Sequence, residues 1–297
     1  MRSVGLAALV VAAGAENPLP LPPFVIAPGV SMPACNVGHP DDGCQHGVGP
    51  GCAAAATNET LLWLKIGGRG VDTAFGYQNQ PQVGDAIKQA VDAGIVANRS
   101  EVFVTTKINP GGRGGAGVCS AAAALAAVKV DVEQIGVGPL DLVLQHFPCS
   151  TDAGNKAVWL GLVQAKAQGL TRAIGVSHFT QAQLESIMSL NKGAPSVNQC
   201  EMAVGSHDDA TREYCQAHGI TYEAYGTLRN VDLTDKTLVK VAAVHKVSAA
   251  QVALRWVTQH GCPIAVSPGL HEDYAVQDLG LGGFNLTDSE MKAIAAI

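Results

Sequence analysis

At 297 residues, with 47% apolar and 15% charged positions, the chain has ample material for a large core and too little charge for a disordered or nucleic-acid-coating protein. Its formal net charge of -6 argues against a polyanionic partner, although a local basic pocket remains compatible with it. The length accommodates a single α/β barrel of about 250 residues plus extensions.

The chain opens on MRSVGLAALVVAAGA: Arg2, a short apolar run, and an Ala-x-Ala end at Ala13 to Ala15. This is the layout of a secretory signal cleaved after Ala15, and the run is too short to span a bilayer. An Ala-rich N-terminus with no targeting role is the alternative, so localisation is secretory or organellar if the signal is real and cytoplasmic otherwise. No later segment approaches about 18 uninterrupted apolar residues, so no membrane contact is expected of the mature form. A Pro-rich extension over 16–28 (NPLPLPP within it) leads to a domain over 29–297, which carries an inserted Cys/Gly-rich loop at about 39–56.

Cys35, Cys44 and Cys52 cluster in a Gly/Pro-rich stretch that runs into this insertion and includes His39 and His46. It has no CxxC or HxxxH spacing, so no metal is expected, and a disulfide among the three is the more ordinary outcome in an exported chain. Cys119, Cys149, Cys200, Cys215 and Cys262 are scattered and are expected to be buried thiols.

Strand-like and helix-like segments then alternate. Residues 34–38 form a weak strand, 57–66 a helix, 71–74 a strand, 82–93 a helix and 102–108 a strand. A Gly-rich loop over 110–117 precedes an Ala-rich helix that Ser120 can cap, since its hydroxyl satisfies an open backbone donor. Strand 140–145 is followed by helix 156–168, and strand 173–177 by a helix that Thr180 caps, running to about residue 190. Strand 196–200, helix 209–217, strand 221–225, helices 236–245 and 249–260, and strand 264–267 complete the series. Eight β units alternating with helices predict a parallel sheet closed into a single-domain α/β fold, the (β/α)8 or TIM barrel. A doubly wound open sheet is the competitor, but it would usually carry GxGxxG after its first strand, and none occurs.

Parallel barrel strands point their C-terminal ends at one face, so residues ending successive strands converge. Here those residues are Asp72 and Tyr77 in GVDTAFGY, Lys107 in VFVTTKI and His146 in LDLVLQHFP. Singly, each has an ordinary role: a helix cap, a rim aromatic, a solvated cation, a core histidine. Together they form a set suited to proton chemistry.

Read with their surroundings, VDTAFGYQNQPQVGDAIKQA, EVFVTTKI, LDLVLQHFP, AIGVSHF, VNQCE and AQVALRW resemble the aldo-keto reductases, in order from about Gly29 to Ile297. The resemblance implies a barrel that moves a hydride from NADPH to an aldehyde or ketone, with Tyr77, Asp72, Lys107 and His146 as the catalytic group. Hydride attack builds negative charge on the carbonyl oxygen, so an acid is needed there, and a tyrosine with an ordinary pKa of about 10 needs help to donate. The Lys107 ammonium would favour the phenolate, Asp72 would hold Lys107 charged, and His146 would orient the carbonyl.

The resemblance also assigns Ser177, His178 and Gln199 to the nicotinamide carboxamide and Tyr225 to stacking on its ring. His178 stands where the family usually has Asn. After the last strand, Ala265 to Tyr274 has no Lys or Arg, where NADPH-preferring relatives place cations for the 2′-phosphate, and it carries Glu272 and Asp273 instead. Either NADPH is held through Ser267, His271 and backbone donors, or NADH is accepted because acidic groups suit a free ribose hydroxyl. Asn36-Val37-Gly38-His39-Pro40 replaces the usual Gly-x-Gly-Thr-Trp, and the chain stops at Ile297, where many relatives continue into a loop over the substrate. A more open pocket follows unless 35–52 or 110–119 supplies the cover.

The expectation is therefore an NAD(P)H-dependent oxidoreductase that reduces a small-molecule carbonyl substrate, with Tyr77 as general acid, no nucleic-acid partner, and a monomer. A nucleotide-binding barrel acting as a sensor or regulatory subunit is the alternative. A Cys-stapled carbohydrate-binding barrel would need acidic pairs at strand ends, and only Asp72 and Glu201 qualify.

Overall fold

The computed structural model describes residues 18–38, 52–111 and 117–297. The expected signal segment, Cys44 with most of the inserted loop, and part of the Gly-rich loop lie outside them. A hairpin comes first, β1 (Phe24–Ala27) and β2 (Val30–Met32), joined at Gly29, whose φ of +71° is a left-handed value that glycine adopts freely. Eight parallel strands follow: β3 (Cys35–Gly38), β4 (Gly70–Asp72), β5 (Phe103–Ile108), β6 (Leu140–Gln145), β7 (Thr171–Ser177), β8 (Val197–Glu201), β9 (Thr221–Tyr225) and β10 (Ile264–Val266). They close into a barrel in which β10 pairs with both β9 and β3. This is the expected (β/α)8 barrel.

The strands are legible because barrel strands are covered on both faces. FVTTKI in β5 and LDLVLQ in β6 are buried at every position. Helices α1 (Cys52–Lys65), α2 (Gln80–Asp92), α3 (Ala121–Ile135), α4 (Asp152–Ala167), α5 (Gln181–Met188), α6 (Asp209–Ala217), α7 (Lys236–His245), α8 (Ala249–Gln259), α9 (Glu272–Leu279) and α10 (Asp288–Ile294) surround them. Ser120 caps α3 and Thr180 caps α5, the latter in a reciprocal capping box with Gln183. Two helices start earlier than their apolar periodicity indicates. In α1 the small residues before position 57 are already helical, as good helix formers should be, and in α4 the Thr151 hydroxyl accepts the Gly154 N–H and sets the start at Asp152.

The hairpin has no sequence signature strong enough to anticipate, and its packing decides which end of the barrel is open. Ile26, Val30 and Met32 pack against Phe103, Leu142, Leu144, Ala173 and Val197, while Arg172 donates to the Gly29 carbonyl at 2.6 Å. Phe103 and Val197 begin their strands, so the hairpin closes the N-terminal end, and among the described residues the C-terminal end is left open.

The cysteines correct one expectation: Cys119 and Cys149 form a disulfide instead of remaining buried thiols. Cys35 is a free, buried thiol, and any disulfide between Cys44 and Cys52 lies outside the described residues. The two half-cystines lie in the loops after β5 and β6, which the barrel brings side by side, and a sequence separation of 30 residues carries no trace of that adjacency. Cys215 and Cys262 are buried free thiols as expected, whereas Cys200 is free but only half-buried. Among the described residues no cluster of three or more His, Cys, Asp or Glu could hold a metal ion, and no single helix is long and apolar enough to cross a membrane.

One buried carboxyl outside the barrel mouth makes stability depend on pH. Asp131 of α3 is fully buried, and its pKa is pushed up to about 8 by burial, which the nearby Gln80 amide of α2 offsets only in part. In the unfolded chain the same group titrates near pH 4, at about 3.9. Its contribution is therefore complete below about pH 4 and is lost as pH rises toward 8, because only the folded state holds the proton across that range. Asp131→Asn should abolish this slope and raise unfolding stability at pH 8 by on the order of 5 kcal/mol, with little change at pH 4. Urea unfolding at the two pH values checks this, and parallel pH profiles for both proteins would exclude it.

Candidate active site

The open barrel end carries a cleft of about 1180 Å³, and Asp72, Tyr77, His146, Gln199 and Tyr225 are among its walls. Asp72 ends β4 and Lys107 lies one residue before the end of β5. Tyr77 reaches the cleft from a single 3-10 turn, Phe75–Tyr77, which stops where Gln78 turns left-handed at φ 56°. His146 follows β6 directly, with its backbone N–H donating to the Ile108 carbonyl at 2.9 Å. All four predicted catalytic residues therefore meet at one mouth.

Lys107 is almost completely buried. Its ammonium donates to Asp72 Oδ1, to the Thr73 carbonyl at 3.1 Å and to Tyr77 Oη at 3.4 Å. Burial alone would lower the Lys107 pKa, but the charges of Asp72, Tyr77 and Glu223 outweigh it and hold the ammonium above its ordinary range. Tyr77 packs edge-on to the His146 ring, 5.5 Å between centroids, and His146 stacks on Phe147 at 4.2 Å. The Phe147 loop is fixed from below by Gln145, which donates to the Phe147 carbonyl at 3.0 Å and to Asn155 at 3.2 Å.

Gln199 connects this group to a carboxyl the sequence reading passed over. Its Nε2 donates to Asp72 Oδ2 and to Glu223 Oε2, both at 2.8 Å. Glu223 is fully buried in β9, with its pKa pushed up to about 8 by burial and then by Asp72. A signal existed: a glutamate in the middle of TYEAY, in a strand covered on both faces, is too costly to bury without a partner.

The predicted cofactor residues divide. Tyr225 and His178 line the cleft, with His178 Nε2 2.9 Å from Tyr225 Oη and Nδ1 3.0 Å from the His146 carbonyl. A carbonyl only accepts, so Nδ1 carries the proton and Nε2 accepts from the tyrosine hydroxyl. His178 adopts φ 62°, a left-handed value that Asn and His tolerate better than most residues. Ser177 is fully buried and donates to the Gln199 carbonyl at 2.8 Å. Ser267 lies on the far wall, donating to the Gly38 carbonyl at 3.2 Å.

Arg229, also passed over, is the one Lys or Arg among the described residues lining the cleft. It sits over the Tyr225 ring at 5.6 Å and pairs with Glu201 at 3.4 Å. Arg229 comes from the loop after β9, where nothing local marks it as facing a ligand.

Comparison with known proteins identifies the family. A model of the Aldo/keto reductase family matches residues 53–297. An aldo-keto reductase of Mycolicibacterium smegmatis is 34% identical, over 84% of this chain and 84% of its own length. The NADPH-dependent codeinone reductase 1-4 of Papaver somniferum is 30% identical, over 93% of this chain and 89% of its own. The crystal structure of an aldo/keto reductase from Brucella melitensis superposes with a TM-score of 0.82 at 26% identity, covering 94% of this chain and 98% of the other.

Proposed function

Because the chain belongs to the aldo-keto reductase family, we propose that it is an NADPH-dependent oxidoreductase reducing small aldehydes or ketones to alcohols, with Tyr77 as general acid. The observation that carries this reading is the placement of Tyr77 Oη on the cleft wall beside the His146 ring, with the buried Lys107 ammonium 3.4 Å behind it. NADH is the alternative reductant.

The cleft walls fit a nicotinamide dinucleotide. Tyr225 offers an aromatic face for a planar ring, and Thr227, Ser248 and Ser267 offer hydroxyls along the wall. Arg229 offers the planar fork of donors that suits phosphate oxygens. When bound, the reduced nicotinamide supplies the hydride.

The remaining chemistry falls to the chain. His146 orients the substrate carbonyl from one side of the cleft, and Tyr77 donates its phenolic proton to the oxygen as negative charge develops there. Lys107 stabilises the phenolate left behind, and Asp72 keeps that lysine charged and fixed. Alcohol oxidation would run through the same groups in reverse. Phe147 and His178, stacked at 4.8 Å, add a flat wall that favours aromatic or otherwise planar substrates.

Mixing the protein with NADPH or NADH and an activated aromatic aldehyde, and following loss of reduced-nicotinamide absorbance, tests the reading. Turnover is expected, and its absence with both cofactors despite tight binding would favour the sensor role instead. Arg229→Ala should weaken NADPH about tenfold or more, since a hydrogen bond to a charged group contributes roughly 1.5–3 kcal/mol. Quenching of intrinsic tryptophan fluorescence gives that affinity directly. An unchanged dissociation constant would remove Arg229 from the phosphate site.

A further inference from the structure

The barrel interior beneath Tyr77 holds more ionisable groups than the reduction requires. Lys107 from β5 and Asp72 from β4 form one buried ion pair, and Glu223 from β9 adds a second carboxyl sealed from solvent. A single amide joins the two acids, because the two Nε2 hydrogens of Gln199 reach Asp72 Oδ2 and Glu223 Oε2 at the same distance of 2.8 Å. The charged groups that face Glu223 are Asp72 and Lys107, and Tyr77 joins them through the ammonium. Gln199 and Asn36 approach it without charge, the Asn36 amide nitrogen lying 3.4 Å from Glu223 Oε1. Asn36 can stand there because β4 carries glycine opposite: a Cβ on Gly70 would lie 1.9 Å from Asn36 Oδ1.

We propose that Glu223 is a positioning residue for the general acid: a buried carboxyl, coupled to Asp72 through Gln199, whose ionisation sets how readily Tyr77 gives up its proton. This deepens the functional reading above and rests on it for its catalytic meaning. One ammonium balances one carboxylate, so the cluster is neutral only while the second carboxyl keeps its proton. Burial and the Asp72 charge make Glu223 the group that keeps it, up to about pH 8. Once Glu223 ionises, its negative charge adds to that of Asp72 beside Lys107 and opposes formation of the Tyr77 phenolate. Tyr77 therefore stays protonated, and able to act as an acid, to higher pH than the Lys107–Asp72 pair alone would allow. The two groups titrate as a pair.

The test reads Tyr77 itself. Tyrosinate absorbance is titrated in the wild type and in Tyr77→Phe, and the difference isolates one of the five tyrosines in the chain. In the wild type the difference curve should be broader than a single-site titration. In Glu223→Gln, which keeps the side-chain shape and removes the charge, the curve should sharpen and its midpoint fall by about half a unit or more. The alkaline limb of carbonyl reduction should move the same way. A single-site wild-type curve, or a midpoint that Glu223→Gln leaves in place, would overturn the proposal. Should Glu223→Gln fail to fold, the wild-type curve decides alone. If instead Tyr77→Phe left turnover unchanged, the general-acid reading would fall while the titration still reported whether Glu223 acts on Tyr77.

Discussion

Tyr77→Phe is expected to lower kcat for carbonyl reduction by about 10²–10⁴-fold, the range that a positioned general acid contributes, while cofactor affinity stays within about twofold. The change removes one hydroxyl and leaves the ring. The edge-on packing against His146 at 5.5 Å and the ring's place over the Lys107 ammonium, 4.9 Å from its centroid, therefore persist. Loss of kcat with retained binding identifies an interaction made only as charge develops on the substrate oxygen. Steady-state kinetics with NADPH, together with fluorescence titration of the cofactor, separate the two quantities. Retention of even a tenth of the wild-type kcat would mean that His146 or solvent supplies the proton.

The second large effect is on folding as much as on turnover. Lys107→Met should destabilise the protein by about 3–5 kcal/mol, because it leaves Asp72 as a buried carboxylate without its cation. Asp72 is nearly as buried as Lys107 and its other oxygen is already committed to Gln199, so no rearrangement within the cluster can neutralise it except uptake of a proton. Adding Asp72→Asn to Lys107→Met should recover part of that stability, while neither protein regains activity. Urea unfolding of both variants measures it. A loss below about 1 kcal/mol in the single variant would place the pair among exposed ion pairs, whose contribution is of that size.

Both predictions concern residues that could be named from the sequence at, or a few residues beyond, a strand end. A strand covered on both faces reads as a continuous apolar run, and the polar residue that ends it is therefore conspicuous: VFVTTKI points to Lys107 and LDLVLQHFP to His146. The turn that presents Tyr77 was less visible, since GVDTAFGY contains no helix of ordinary length, yet its short 3-10 geometry swings the tyrosine into the cleft. Helix starts were misjudged where a hydroxyl cap, Thr151, outweighed hydrophobic periodicity.

The cofactor side was harder to read because its residues act through partners that local sequence does not reveal. His178 occupies a position expected to bind an amide, but both its ring nitrogens have protein partners across three strands' ends. Ser177 is likewise turned into the wall toward Gln199. Among the described residues no cation follows β10 in the cleft wall, but Arg229 stands there after β9, and only the closed barrel sets the two loops on one cleft.

By itself, then, the sequence determined the order of strands and helices, the face on which they end, and the residue types gathered there, because each of these follows from local periodicity and from the common direction of parallel strands. Only the tertiary structure decided which end the hairpin closes, that Cys119 meets Cys149, and that Gln199 holds Asp72 and Glu223 together across separations of 127 and 24 residues. Those contacts arise when the sheet closes on itself. Strand stagger and the inward alternation of side chains then choose the neighbours, and neither is written in any one segment of the chain.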